Sequence, residues 1–208
     1  MNATTQSLTL RGLAGAIEAR LDAPAAAPRG TAVLAHPHPL FGGTLTNKVV
    51  QTLARACVQC GWRALRFNFR GVGASAGTHD EGRGELEDML AVIEQTAPAG
   101  EPLVIGGFSF GAFVASHAVA RLHGQRAIER VVLVGTAASR FDVAPVPAEL
   151  HPRTLVVHGE QDDTVPLASV LDWARPQVLP VTVVPGGEHF FHGQLPLLKS
   201  LVMRHLGA

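Results

Sequence analysis

The chain has no excess charge, few cysteines and no long apolar run, and each shortage excludes a class of protein. Its 208 residues carry 17 basic and 17 acidic side chains, so no net charge attracts nucleic acid or anionic lipid. The two cysteines, Cys57 and Cys60, are too few for a disulfide framework and indicate a reducing compartment. No segment reaches about 18 uninterrupted apolar residues, so we expect no membrane span.

The N-terminal region has an Ala- and Pro-rich stretch near residue 25 that resembles a signal-peptide cleavage region. Arg11, Glu18, Arg20 and Asp22 interrupt the apolar stretch that a signal peptide needs, and no basic segment precedes it. We therefore expect a cytoplasmic protein. Because no internal repeat or long linker is present, we expect residues 1–208 to form a single domain with a full hydrophobic core.

Strand-like and helix-like segments alternate along the chain. Residues 5–10 and 15–21 predict a hairpin around Gly12. Further strands are predicted at 31–35, 62–67, 103–108, 130–135, 154–158 and 181–184, and helices at 47–60, 84–96, 110–122, 167–173 and 194–206. In the 84–96 helix, Leu86, Leu90 and Ile93 are expected to face inward. Short apolar strands separated by helices indicate an α/β fold, in which helices cover both faces of a parallel sheet.

Ligand sites in such sheets lie beyond the carboxyl ends of the strands, so the loops after each strand are the place to search. The loop after strand 103–108 reads Gly107-Phe108-Ser109-Phe110-Gly111, a G-x-S-x-G pattern between a predicted strand and a predicted helix. A serine on so sharp a turn requires small residues two positions before and after it. Ser109 is therefore the candidate nucleophile, beside a helix N-terminus that stabilises negative charge.

A serine hydroxyl needs a base to act as a nucleophile, and the loop after the last strand offers two histidines. His189 follows Gly186 and Gly187 directly and is the candidate base. His192 is the alternative, although a surface histidine at the start of the final helix also explains it.

The imidazole in turn needs an acceptor that fixes its tautomer and stabilises its protonated form. The loop after strand 154–158 contains Asp162 and Asp163, and the H-G-x-x-D spacing favours Asp162. Asp163 then caps the helix that begins near Pro166, and Asp142 is an outside candidate for the acid. The chain order Ser, Asp, His differs from the orders of chymotrypsin and subtilisin.

A tetrahedral intermediate also needs backbone donors for its oxyanion. The amide of Phe110, directly after the nucleophile, is one candidate. The second is expected from the loop at 36–43, where the two prolines have no amide hydrogen and His38, Leu40 and Phe41 remain. Leu40 is our choice among these three.

Three other patterns have less specific interpretations. His36 and His38 have H-x-H spacing, but no third ligand lies nearby in sequence, so structural loop histidines are favoured over a metal site. Cys57 and Cys60 lie on the apolar face of a predicted helix and are interpreted as buried thiols. The Gly71-Val72-Gly73 segment lacks the third glycine of a dinucleotide-binding motif and predicts a tight loop that borders the active site.

With these loops identified, the chain resembles the α/β-hydrolases over essentially its whole length, and more narrowly a group of small bacterial members without a lid. The narrower resemblance depends on the segments His36-Pro37-His38-Pro39-Leu40-Phe41-Gly42-Gly43, Arg66-Phe67-Asn68-Phe69-Arg70-Gly71-Val72-Gly73, Gly107-Phe108-Ser109-Phe110-Gly111 and His189-Phe190-Phe191-His192-Gly193. It implies a mostly parallel sheet of about eight strands, a triad of Ser109, His189 and Asp162, and ester hydrolysis without a cofactor or metal.

Larger relatives insert a helical cap after the strand that corresponds to residues 130–135. Here about 17 residues, Thr136 to Pro152, precede the next strand, which is too short for a cap domain. We expect an open cleft for small or short-chain esters, with apolar walls drawn from Phe41, Phe108, Phe110, Phe190 and Phe191. A thioesterase, amidase, peptidase or acyltransferase would use the same triad, and a non-catalytic binding protein is a further alternative. The expected partner is a small-molecule ester, and the oligomeric state is left open.

Overall fold

Eight strands form one sheet in the computed structural model, which describes residues 5–207. The strands are β1 Gln6–Gly12, β2 Gly15–Asp22, β3 Thr31–Ala35, β4 Arg63–Phe67, β5 Leu103–Phe108, β6 Ile128–Val134, β7 Thr154–Gly159 and β8 Val181–Val184. Their order across the sheet is β1-β2-β4-β3-β5-β6-β7-β8. The pairs β1–β2 and β2–β4 are antiparallel and the other five pairs are parallel, which confirms the predicted, mostly parallel α/β sheet.

Residues 5–207 form five α-helices: α1 Lys48–Gln59, α2 Arg83–Thr96, α3 Phe110–Leu122 and α4 Leu167–Ala174, which connect strands, and α5 Leu195–His205, which follows β8. Each lies within two residues of its predicted bounds. In residues 5–207, no helix combines the length and the hydrophobicity that crossing a bilayer requires.

The hydrophobic core is divided into two layers by the sheet. On one face, Met89 of α2, Val114 of α3 and Val170 of α4 pack against the strands. On the other face, Leu53 of α1 and Leu198 of α5 do the same. Because both faces are covered, the central strands β3 and β5 are buried at every position.

The buried face of α2 is wider than predicted. Ile93 is buried and Leu86 and Leu90, although only partly buried, pack against the core as expected, but Glu85 and Asp88 are buried as well. Carboxylates are tolerated there because each is compensated by partners from outside the helix. Asp88 accepts a hydrogen bond from the Arg70 guanidinium at 2.9 Å, and Glu85 accepts hydrogen bonds from two loop amides.

The connection from β6 to β7 carries no cap. From Thr136 to Pro152 the chain crosses the strand ends, and the only helical piece among these described residues belongs to the short 3-10 helix Ala148–Arg153. The cleft beyond the strand ends is therefore open to solvent, as the length of this segment predicts.

Candidate active site

Ser109 lies at the turn between β5 and α3, in a backbone conformation that side chains rarely adopt. Its φ is 56° and its ψ is −116°, which directs the hydroxyl away from the sheet. Its neighbours in the G-x-S-x-G segment have no room for a side chain. A Cβ on Gly111 would lie 2.4 Å from the Ala35 carbonyl oxygen, and one on Gly107 would lie 2.3 Å from the Gly111 backbone. Gly111 thus lets α3 approach β3 closely, and Gly107 lets the first turn of α3 fold back against β5.

His189 lies within hydrogen-bond distance of the Ser109 hydroxyl. Its Nε2 is 3.0 Å from Ser109 Oγ, and its Nδ1 is 2.6 Å from Asp162 Oδ2. The histidine loop is anchored by Phe191, which is fully buried in the core layer under α1 and α5. The Phe108 ring packs against the imidazole at 4.9 Å between centroids. The histidine is therefore held between the hydroxyl and the carboxylate.

The Asp162 carboxylate has a complete set of donors. Oδ1 accepts from the amides of Thr164 and Val165 at 3.0 and 2.7 Å. Oδ2 faces His189, and the Nε2 of buried His158 lies 3.4 Å from it. Burial acts to raise the pKa of Asp162, but the hydrogen bonds from His189 and Val165 prevail and hold that pKa below its usual range. The carboxylate is thus ionised at neutral pH.

The alternative residues lie elsewhere. His192 is exposed and pairs with Glu188 at 3.1 Å. Asp163 is exposed and its side chain accepts only a 3.3 Å contact from the Thr164 hydroxyl. The predicted cap by Asp163 is wrong, because the N-cap residue of α4 is Pro166 and no side chain caps this helix. The amides of Thr164 and Val165, just before α4, donate to Asp162 instead. Asp142 is exposed and lines a neighbouring cleft, not the one above Ser109.

The backbone donors near Ser109 differ from the prediction in one position. The Leu40 amide donates to Nδ1 of His38 at 3.2 Å, and the Phe41 amide donates to the His38 carbonyl at 3.1 Å. Leu40 is also 70% exposed and does not line the cleft above Ser109. This arrangement argues against Leu40 as an oxyanion donor. The amides of Phe110 and His38 have no acceptor among residues 5–207.

The cleft above Ser109 and His189 is open and has a volume of about 350 Å³. Exposed Phe41 and Phe190 form its apolar walls, whereas Phe108, Phe110 and Phe191 are fully buried and belong to the core. Its remaining lining is Pro37, His38, Gly42, Gly43, Asn47, Arg140 and Thr164.

Both histidines of the H-x-H pair support the loop at 36–43. His36 is fully buried, its Nε2 accepts from the Phe69 amide at 3.0 Å and its Nδ1 lies 2.6 Å from the Pro37 carbonyl. Both ring nitrogens are thus used within the protein. Burial lowers the pKa of His36 to about 4, so the ring is neutral.

The G-x-G segment does not line the cleft above Ser109, in contrast to the prediction. Asn68, three residues before Gly71, accepts a hydrogen bond from the Leu45 amide at 2.8 Å and so holds the chain that follows the loop at 36–43. Cys57 and Cys60 are both free and buried, as predicted, and burial raises the pKa of both thiols.

Sequence reasoning missed two contributors to the site. His158 approaches Asp162, and its place in the H-G-x-x-D segment was a signal that could have identified it. Arg140 reaches the cleft from the segment after β6, and no local pattern marks it.

Comparison with known proteins agrees with this geometry. A family model described as the alpha/beta hydrolase fold matches residues 40–153, more than half of the chain. The chain therefore belongs to the α/β-hydrolase family, and the predicted resemblance is confirmed.

Two solved structures are similar over the whole chain. One, from Xanthomonas campestris and described as an a/b serine hydrolase without lid, has 34% identity and a TM-score of 0.85, covering 99% of this chain and 95% of that one. An alpha-beta serine hydrolase homologue from Coxiella burnetii has 34% identity and a TM-score of 0.81, covering 100% of both chains. These neighbours indicate a hydrolase of the serine type without a lid.

A curated protein from Rickettsia prowazekii, itself uncharacterized, is 43% identical over 114 residues. The match covers 53% of this chain and 48% of that protein, so it spans about half the length of the curated relative.

Proposed function

We propose that this protein is a serine hydrolase that cleaves small or short-chain carboxylic esters through Ser109, His189 and Asp162. The observation that carries the proposal is the continuous hydrogen-bonded line from the Ser109 hydroxyl through His189 to the Asp162 carboxylate, with distances of 3.0 and 2.6 Å. An imidazole so placed can accept the serine proton on one nitrogen while the carboxylate stabilises the resulting cation on the other.

The cycle has two halves. Ser109 Oγ attacks the ester carbonyl while His189 Nε2 accepts its proton, and His189 then protonates the departing alcohol. Water, deprotonated by the same nitrogen, attacks the acyl-enzyme and releases the acid. Asp162 remains ionised throughout, because its pKa lies below its usual range.

The oxyanion of each tetrahedral intermediate is assigned to the amides of Phe110 and His38. Both amides lack an acceptor in the described chain, and both residues flank the Ser109 hydroxyl, Phe110 in sequence and His38 in the cleft lining. Of the three amides expected from this loop, His38 is favoured, since Leu40 and Phe41 donate their amides elsewhere. Preorganised donors of this kind stabilise the charge that develops in the transition state.

Short esters fit the cleft best. The segment from β6 to β7 forms no cap above the cleft, and the cleft volume of about 350 Å³ suits a small ligand. The same triad would also cleave thioesters or amides, so the bond type is decided by comparing 4-nitrophenyl acetate with matched thioester and anilide substrates.

The test is covalent labelling with a fluorophosphonate probe, followed by mass spectrometry of the modified peptide. We expect stoichiometric labelling at Ser109, lost in Ser109→Ala and His189→Ala, with ester hydrolysis by Ser109→Ala reduced by a factor on the order of 10⁶. Asp162→Asn should lower kcat by a factor of about 10⁴, whereas Asp163→Asn, its matched control, should retain activity. A folded protein that the probe does not label would overturn the proposal.

A further inference from the structure

Arg140 is the only permanently charged residue in the lining of the cleft above Ser109, and no Asp or Glu side chain of residues 5–207 lines that cleft. Asp162 lies nearby but is buried behind His189 and shielded from the cleft. An anion bound beside the nucleophile would therefore meet one cation and no opposing carboxylate.

The Arg140 guanidinium has no ion pair in the described part of the chain. Several other arginines are engaged: Arg66 pairs with Asp22 at 2.8 Å, and Arg70 pairs with Asp88 at 2.9 Å. Arg140 instead stands exposed on the segment after β6, fixed only through its backbone amide, which donates to Ala137 at 3.2 Å. Its positive charge is close enough to His38 to contribute to the lowered pKa of that ring, after burial and His79.

Arg140 also lies at the border of a second cleft, which it shares with His38 and Phe41. The aromatic rings of Phe113 and Phe141 make the inner wall of this second cleft. Two carboxylates, Glu81 and Asp142, line it as well. An anionic group is therefore favoured on the Ser109 side of Arg140, while an apolar or aromatic remainder fits the second cleft.

We propose that Arg140 selects esters that carry a carboxylate group, by binding that group beside the Ser109 cleft. This inference rests on the proposed function, since it names the substrate class of the same site. A guanidinium binds a carboxylate through two parallel hydrogen bonds, which adds orientation to charge attraction. The chain has no net charge, so a preference for anionic esters would come from this local cation rather than from the field of the whole protein.

The experiment compares kcat/KM for two matched ester pairs. Monomethyl adipate and dimethyl adipate, compared per ester group, place the carboxylate on the acyl side. The pair 3-acetoxybenzoate and methyl 3-acetoxybenzoate places it on the alcohol side. We expect the anionic member of at least one pair to be preferred by roughly tenfold, a typical value for a charge-assisted pair open to solvent. High salt should reduce this preference.

Variants test whether Arg140 causes the preference for the anionic ester. Arg140→Gln should abolish it and Arg140→Glu should reverse it, while Arg121→Gln, an exposed change on α3, should keep the wild-type ratio. Equal rates within both pairs, an unchanged ratio in Arg140→Gln, or no cleavage of either pair by a protein that the fluorophosphonate labels at Ser109 would overturn the inference alone. Absence of labelling in the wild-type protein would instead refute the proposed function, and the inference with it.

Discussion

The buried histidine His36 makes the stability of this protein sensitive to acid. Its Nε2 accepts from the Phe69 amide, so protonation there would remove an acceptor and leave a charge in the core. The folded-state pKa is about 4 and the ordinary value is 6.5. Between these values the unfolded chain binds the proton and the folded chain does not, so stability is lost as the pH falls.

We therefore expect His36 to contribute about 3 kcal/mol to the loss of unfolding free energy between neutral pH and pH about 4. Urea unfolding of the wild type and His36→Gln at several pH values measures this contribution as the difference between the two slopes. Burial also lowers the pKa of His158 and His205, so the variant should keep part of the pH dependence. Parallel curves for the two proteins would contradict the prediction.

The amide of His38 allows a direct test of a backbone donor. His38 has a φ of −53°, close to the value that proline fixes, so His38→Pro removes the amide hydrogen with little change of backbone conformation. His38→Ala removes the same ring but keeps the hydrogen. We expect His38→Pro to have a kcat about 10² to 10³ lower than His38→Ala, the usual cost of losing one oxyanion donor.

Ester hydrolysis under single-turnover conditions measures this difference, with circular dichroism to show that both variants fold. If His38→Pro and His38→Ala have the same kcat, the second donor is another amide of the loop, such as that of Gly42.

At the scale of elements, the contact of α3 with β3 is what forms the nucleophile turn. A methyl group on Gly111 would meet the carbonyl oxygens of Ala35 and His36 at 2.4 and 2.5 Å, and backbone atoms cannot yield as a flexible side chain can. Gly111→Ala should therefore displace the start of α3, destabilise the protein by about 1 to 3 kcal/mol and abolish labelling of Ser109.

The matched control is Ala120→Gly on the exposed face of α3, which alters the same helix without a clash. It should cost about 1 kcal/mol in urea unfolding and leave labelling intact. Normal labelling of Gly111→Ala would show that the turn tolerates a wider separation of α3 and β3.

The elements themselves were predictable because their signals are local. Apolar runs bounded by loops mark β5 and β7 to within a residue, and G-x-S-x-G places a serine between a strand and a helix. The burial of Asp88 in α2 was not predictable, because its charge is compensated by an ion pair with Arg70, which lies on a separate loop. The prediction that Leu40 is an oxyanion donor was wrong for a similar reason. The sequence does not show that the His38 ring accepts a hydrogen bond from the Leu40 amide.

At the scale of the whole molecule, topology assembles the site. Ser109, Asp162 and His189 follow β5, β7 and β8, which point the same way in the sheet, so their loops meet at one edge. The order of the strands explains why residues 80 positions apart in sequence, Ser109 and His189, lie 3.0 Å apart. Arg140 joins them from the end of the neighbouring β6, a placement that follows from the topology and from no motif.

The same topology leaves the cleft uncovered, and this determines how much binding free energy a longer acyl chain contributes. A cap would bury a long chain and add about 0.8 kcal/mol for each methylene removed from water. Here the walls above Ser109 are Phe41 and Phe190, 75% and 44% exposed, so methylenes beyond the cleft stay in solvent. In a series of 4-nitrophenyl esters, kcat/KM should be highest for acetate or butyrate and should not rise for octanoate or laurate. A steady increase with chain length, measured below the critical micelle concentration, would mean that another surface covers the acyl chain.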